Sequence, residues 1–142
     1  MSRQKYMLST GDTERAERLK EVIGALYEIN KSVPIIVEGA KDASALRNLG
    51  LVGEIITLHT GKNLYDFCTD ILERFERVII LLDWDKNGER LTKTLFMYLR
   101  GYCEEFSSFR EIIKLLCQKE INEIEEIPKL LMRIERYEGS WD

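Results

Sequence analysis

The sequence contains little histidine and cysteine, and this argues against the common structural zinc sites. It has one histidine, His59, and three widely spaced cysteines, Cys68, Cys103 and Cys117, with no Cys-x-x-Cys pair. Structural zinc sites take four ligands from closely spaced cysteines and histidines. We therefore expect the cysteines to be small buried hydrophobic residues in a reducing compartment.

Long apolar runs are also absent. No stretch approaches the roughly 20 apolar residues of a membrane-spanning helix, and no apolar core of a signal peptide follows the first residues, Met-Ser-Arg-Gln-Lys-Tyr. We expect a cytoplasmic protein that does not insert in a membrane. The 142 residues, 44% of them hydrophobic and 32% charged, suit one globular domain.

The sequence has no excess of positive charge. It carries 25 acidic and 21 basic residues, for a net charge of -4, and its isoelectric point is near 5.2. Proteins that bind the nucleic-acid backbone unaided concentrate lysine and arginine on one surface. We therefore expect any nucleic acid to be held by a local basic rim, by a metal ion or with a protein partner.

Two apolar runs that end abruptly in acidic residues dominate the pattern. Residues 35–37 lead to Glu38, and residues 78–82 lead to Asp83 and, two positions on, Asp85. Such runs are typical of central strands in a parallel sheet, whose carboxyl ends meet at one edge. Carboxylate oxygens gathered there favour a hard cation, most simply Mg²⁺, with Mn²⁺ as the alternative.

Helical periodicity separates the apolar runs and predicts an α/β fold with a central, mainly parallel sheet of about four strands. The predicted strands are residues 35–37, 54–58, 78–82 and 102–105, and the predicted helices are residues 13–30, 42–49, 63–75, 87–100, 106–117 and 127–136. Asp42 is the predicted N-cap of the second helix. We expect a single domain over residues 1–142, with a core at about 33–105 and helical extensions at 12–31 and 106–138.

The residues around both acidic strand ends resemble the motifs of the Toprim domain family. Residues 37–39, Val-Glu-Gly, followed by Asp42 resemble its first motif, and residues 83–88, Asp-Trp-Asp-Lys-Asn-Gly, resemble its DxDxxG motif. The resemblance implies a three-layer α/β/α Rossmann-like fold. It also implies a small stand-alone, primase-like Toprim protein, similar to ribosomal-RNA maturation nucleases.

The resemblance implies a role for each matching residue. Glu38 would be a general acid or base that also faces the metal, while Asp83 and Asp85 would hold Mg²⁺. The residues that support the motifs would be Gly39, Asp42, Asn87 and Gly88. Asn87 stands where topoisomerases of the family often carry a third acid, so it offers an oxygen without charge and weakens the case for a second metal ion.

The implied function is Mg²⁺-dependent phosphoryl transfer on nucleic acid, most simply by a small nuclease or RNA-processing enzyme. The alternatives are a non-catalytic Toprim module that binds nucleic acid or assembles a larger complex, and a subunit that needs a basic partner. We expect no organic cofactor. A topoisomerase gate does not fit in 142 residues, and a primase zinc segment lacks its cysteines.

Several basic residues fall near the same predicted rim and are candidates for phosphate contacts. They are Lys41, His59, Lys62, Lys86 and Arg90. Each of them alone is more typical of a solvated charge, and His59 can be a general acid or a rim histidine. Trp84 is expected to pack, since it points away from the flanking aspartates. The acidic run of Glu120, Glu123, Glu125 and Glu126 is expected to be a solvated face, with docking of a basic partner as the alternative.

Overall fold

A computed structural model describes residues 10–58 and 62–139. Within these residues the elements follow one another as helices and strands in alternation, and then as helices alone. They are α1 (Thr10–Asn30), β1 (Ile35–Val37), α2 (Ala40–Asn48), β2 (Ile55–Thr57), α3 (Leu64–Arg74), β3 (Ile79–Ile80), α4 (Lys86–Tyr98), α5 (Ser107–Cys117) and α6 (Ile127–Gly139). Short 3₁₀ turns at Glu104–Phe106 and Ile124–Glu126 precede α5 and α6.

The three strands form one parallel sheet in the order β2-β1-β3. Ile35 of β1 pairs with Ile55 on one side and with Ile79 on the other. The central position of β1 places the end of β1 directly beside the end of β3. The α/β fold with a parallel sheet is therefore confirmed, and its topology makes neighbours of the two strands that end in acid.

Alternate strand residues feed two separate hydrophobic clusters, one on each face of the sheet. Ile35, Val37 and Ile79 pack with residues of α1, α2, α5 and α6. Ile36 and Ile80 pack with residues of α3 and α4. The sheet thus lies between two helical layers, as the resemblance implied, and the cysteines are free and buried in these layers.

The predicted fourth strand is wrong. Residues 102–105 form no strand, and the sheet of the described residues has three. One backbone hydrogen bond, from Val78 N to Tyr102 O at 2.9 Å, joins this segment to the residue before β3. Gly101 has φ of +91°, and its N–H donates to the Glu104 carboxylate at 2.8 Å. A local turn therefore satisfies the backbone that a strand would otherwise pair.

Helix α2 begins at Ala40, two residues before the predicted start, with Gly39 as its N-cap. Asp42 is therefore not the N-cap. It is the third helical residue, and its carboxylate accepts a hydrogen bond from Gly39 N at 3.2 Å. This back-bond satisfies an N–H group that the helix itself leaves free.

Among residues 10–58 and 62–139, no helix has both the length and the apolar character that crossing a membrane requires.

Candidate functional site

The acidic residues that follow β1 and β3 lie together at one edge of the sheet. Glu38 directly follows β1, and Asp83 and Asp85 follow β3. Asn87, in the first turn of α4, joins the two strand ends, because its amide donates to Glu38 Oε2 at 3.3 Å. Adjacent parallel strands thus bring both motifs to a common rim.

Three carboxylates form a cluster at this rim. One oxygen from each of Asp83, Asp85 and Glu123 lies within 4.8 Å of the other two. Glu123 precedes the turn Ile124–Glu126 and was missed by the sequence reasoning, which placed it on a solvated face. Nothing in the acidic run distinguishes Glu123 from its neighbours, so no signal in the sequence could have selected it.

Asp83 is the most deeply buried member of the cluster, with 8% of its surface exposed. Burial raises the pKa of its carboxyl to about 7, and the negative charges of Asp42, Glu38 and Asp85 add to the shift. A hydrogen bond from Ile124 N to Asp83 Oδ1, at 2.7 Å, opposes the shift. A cation at this position would compensate the charge that burial and neighbouring acids disfavour.

Glu38 is half-buried, and its pKa is also raised by burial, with further contributions from Asp85 and Asp42. Its Oε1 atom is buried and has no hydrogen-bond partner in the described part of the protein. Buried acceptors are normally satisfied. An oxygen-only donor set beside an unsatisfied carboxylate oxygen fits a hard divalent cation with its waters.

The spacing of the DxDxxG motif has a structural cause in the turn from β3 to α4. Asp85 caps α4, with Oδ1 accepting from Gly88 N at 2.7 Å. A Cβ on Gly88 would lie 2.0 Å from Asp83 O. Only glycine therefore allows the helix to start so close to the aspartate that precedes it.

Two further contacts hold the backbone of the motif, and of these only the burial of Trp84 was expected. Trp84 is buried, and its Nε1 donates to Ile121 O at 2.8 Å. Arg110 of α5 was not expected: it is 2% exposed and donates to Leu82 O at 2.8 Å and also to Asp83 O. A guanidinium with several fixed donors suits this task of holding two adjacent carbonyls.

The predicted phosphate contacts are only partly brought to the rim. Lys41 lines a cleft of about 280 Å³ together with Glu38, Asp42, Asp83 and Glu125. Lys86 and Arg90 are exposed in the first turns of α4, and Arg90 donates to Asn87 Oδ1 at 2.6 Å. Lys62 instead pairs with Asp70 of α3. His59 lies outside the described residues.

A second cleft, of about 410 Å³, adjoins the cluster on the C-terminal side. Its lining includes Glu123 from the cluster together with Lys129 and Arg133 of α6. These two cations are four residues apart, so they share one face of the helix. The sequence reasoning did not connect α6 with the acidic rim.

Comparison with known proteins agrees with these motifs. The family model of the Toprim domain matches residues 33–115. A UPF0292 protein of Thermococcus gammatolerans is 39% identical over 122 residues, covering 85% of this chain and 84% of its own length. A UPF0292 protein of Methanosarcina barkeri is 33% identical, covering 80% of each chain.

The fold also matches a solved structure. A putative protein from Aquifex aeolicus superposes with a TM-score of 0.63 and 33% sequence identity, over 76% of this chain and 96% of that one. The chain therefore belongs to the Toprim domain family, as a small member related to the UPF0292 proteins.

Proposed function

We propose that this protein is a Mg²⁺-dependent nuclease that hydrolyses phosphodiester bonds in RNA or DNA. A Toprim domain indicates a magnesium-binding, nucleic-acid-processing function, and the proposal narrows this to strand cleavage. The observation that carries it is the convergence of the Asp83 and Asp85 carboxylates, which have oxygens within 4.8 Å of each other, on the edge where Glu38 retains an unsatisfied oxygen.

Asp83 and Asp85 would hold the metal, with Glu38 beside them, and Mn²⁺ would serve as a substitute. Mg²⁺ bound there neutralises charge on the non-bridging oxygens of a phosphodiester. Asp83 accepts a hydrogen bond from Ile124 N, and Asp85 accepts one from Gly88 N, so each bond engages one carboxylate oxygen. The remaining oxygens of the two carboxylates can face the ion.

Glu38 would move the proton. Because burial and neighbouring acids raise its pKa, it can exchange a proton at neutral pH more readily than an exposed glutamate. The hydrogen bond from Asn87 to Oε2 orients the carboxylate and leaves Oε1 to accept the proton of an attacking water or to return one to the leaving oxygen. This role needs no further charged residue.

The cations nearest this rim would contact backbone phosphates. Lys41 lines the cleft beside Glu38, and Lys86 and Arg90 lie in the first turns of α4. The amino end of α2 has no side-chain cap from its N-cap residue, Gly39, and the amino ends of helices favour anions. His59 and Lys62 are the weaker candidates, since Lys62 is engaged by Asp70.

The test is cleavage of labelled RNA and DNA oligonucleotides with Mg²⁺, with Mn²⁺ or with EDTA. We expect metal-dependent cleavage by the wild type and a loss of about 10²-fold or more in Glu38→Gln, since this is the usual contribution of a general acid or base. Mg²⁺ binding by this variant should be largely spared.

The matched control is Glu28→Gln, which replaces an exposed glutamate in the last turn of α1. Full activity in Glu38→Gln, or cleavage in EDTA, would contradict the proposal.

A non-catalytic module that binds nucleic acid within a larger complex is the second candidate. The net charge of -4 and the pairing of Lys62 with Asp70 argue against a module that binds nucleic acid alone, because a lone binder needs free cations, and so favour one that acts with a partner. The two candidates differ in salt dependence and turnover. A binding module gives a salt-sensitive complex, alone or with a basic partner, and no metal-dependent product.

A further inference from the structure

The DxDxxG motif of this chain lacks a third acid, and the structure supplies one from elsewhere. Asn87 stands two residues after Asp85 and brings no charge. We propose that Glu123, from the C-terminal segment outside the motif, is the third carboxylate ligand of the metal, so that metal binding depends on how that segment is seated. The inference rests on the proposed metal site and adds a ligand to it.

The backbone on both sides of Glu123 is fixed to the motif itself. Asn122 O accepts a hydrogen bond from Trp84 N at 3.1 Å, and Ile124 N donates to Asp83 Oδ1 at 2.7 Å. Trp84 Nε1 adds a third bond, to Ile121 O at 2.8 Å. The position of Glu123 relative to the motif is therefore set by bonds to Asp83 and Trp84, the two residues that precede Asp85, and preorganised ligands of this kind are what a metal site requires.

Apolar burial anchors the same segment. Ile124 is fully buried, and Ile127 and Leu130 are each 1% exposed. All three belong to the core cluster that contains Trp84. Because the residues after Glu123 are held by the main core, the segment stays next to the rim without needing the metal to bring it there.

The Glu123 side chain itself has no capping role. It precedes the turn Ile124–Glu126 with extended backbone and makes no capping hydrogen bond. It is half-buried, and its carboxylate lies within 4.8 Å of those of Asp83 and Asp85. Glu38, whose buried Oε1 accepts no hydrogen bond in the described part of the protein, lies at the same rim and adds an oxygen that a bound cation would satisfy.

The experiment is a calorimetric Mg²⁺ titration of wild type, Glu123→Gln and Glu126→Gln. Glutamine keeps the size of the side chain and removes its charge. Glu126 lies in the same turn and lines the same cleft as Glu123, but it is not part of the carboxylate cluster. We expect at least about tenfold weaker binding in Glu123→Gln, since even groups one shell further out typically cost 10–100-fold. Binding by Glu126→Gln should stay near wild type.

Hydrogen exchange of the Ile124 amide, with and without Mg²⁺, gives a second readout. We expect Mg²⁺ to raise its protection more in the wild type than in Glu123→Gln, because the wild-type segment is tied to the ion both by Glu123 and by the bond from Ile124 N to Asp83, and the variant by that bond alone. This measurement also detects any misfolding of the variant.

The outcomes separate the two proposals. Absence of Mg²⁺ binding in the wild type overturns both the proposed function and this inference. Wild-type binding that Glu123→Gln retains within about twofold, or that Glu126→Gln loses equally, overturns only the inference. Selective loss in Glu123→Gln, with the smaller change in Ile124 protection, supports it.

Discussion

At the scale of single residues, Asp83 combines a structural and a chemical role. Its Oδ1 anchors the C-terminal segment by accepting from Ile124 N, while its burial makes a negative charge unfavourable and raises its pKa to about 7. A site that disfavours its own charge in the absence of metal gains most when a cation binds. The protonated form of Asp83 therefore favours the stability of the metal-free protein, whereas the charged form is the one that binds a cation.

In EDTA, the effect of Asp83→Asn on the stability of the metal-free protein should therefore depend on pH. An unfolded aspartate titrates near pH 3.9, whereas folded Asp83 has a pKa of about 7. The raised pKa means that folding favours the protonated acid. The stabilising contribution of Asp83 to the free energy of unfolding is therefore present at low pH and is lost as pH rises through about 7. Asparagine cannot ionise and retains an oxygen for Ile124 N.

We therefore expect the melting temperature of Asp83→Asn, relative to wild type, to be higher at pH 8 than at pH 5, while Mg²⁺ binding is lost. Thermal melts at the two pH values and a calorimetric titration provide the measurements. Asp66→Asn, which replaces an exposed acid in α3, is the control. If the difference in melting temperature between Asp83→Asn and wild type is the same at pH 5 and pH 8, ionisation of Asp83 does not affect stability and the prediction is wrong.

At the scale of elements, the junction of β3 and α4 determines the geometry of the rim. Asp85 caps the helix through Gly88 N, and Gly88 passes close to Asp83 O. Arg110 of α5 holds that carbonyl from the other side and is itself paired with Glu89 of α4 at 3.4 Å. The two helices thus fix one strand end between them, which keeps the carboxylates that follow it in place.

Gly88→Ala tests this junction. A Cβ placed 2.0 Å from Asp83 O forces the backbone to shift, so we expect destabilisation of at least about 1–3 kcal/mol, the usual cost of overpacking. Weaker Mg²⁺ binding should accompany it, because the shift moves Asp83. Denaturant unfolding and a Mg²⁺ titration measure the two effects.

Gly24→Ala is the matched control, because Gly24 lies within α1 and a Cβ there meets nothing within 4 Å. Alanine in a helix interior is favoured over glycine by about 0.5–1 kcal/mol, so this variant should be slightly more stable with unchanged Mg²⁺ binding. Equal effects of the two alanines would show that the close approach at Gly88 does not constrain the site.

At the scale of the whole molecule, the C-terminal helices complete both the core and the site. Ile113 of α5 and Ile127, Leu130 and Ile134 of α6 are buried in the cluster that contains the β1 and β3 residues of one sheet face. The turn between these helices carries Glu123 to the carboxylate cluster. The segment beyond the motifs therefore helps to cover one face of the sheet and contributes a carboxylate to the rim.

Ile127→Ala tests this integration. Ile127 is 1% exposed, so its truncation should destabilise the fold by about 2–5 kcal/mol. Leu115→Ala, at a position that is 71% exposed, should change stability by less than about 0.5 kcal/mol. Denaturant unfolding compares the two. A cost for Ile127→Ala as small as that for Leu115→Ala would mean that α6 is a detachable extension and not a part of the core.

The sequence by itself determined the fold class and the placement of Glu38, Asp83 and Asp85 at one edge of the sheet. Apolar runs of three to five residues alternating with amphipathic segments leave a parallel sheet between helices as the way to bury both patterns. Glu38, Asp83 and Asp85 are read directly from the chain because they follow strands, and strand ends of a parallel sheet share an edge. Trp84 was likewise correctly expected to pack.

Only the tertiary structure decided which distant residues reach that edge. Residues 102–105 carry a strand-like pattern, but the chain turns at Gly101, whose N–H donates to the Glu104 carboxylate, and Tyr102 N donates back to Leu99 O. Glu123 and Arg110 lie far along the chain from the motif, and their roles depend on how α5 and α6 pack on the sheet. Local patterns encode periodicity and turn chemistry, whereas the approach of remote segments depends on side-chain packing that no short stretch of sequence contains.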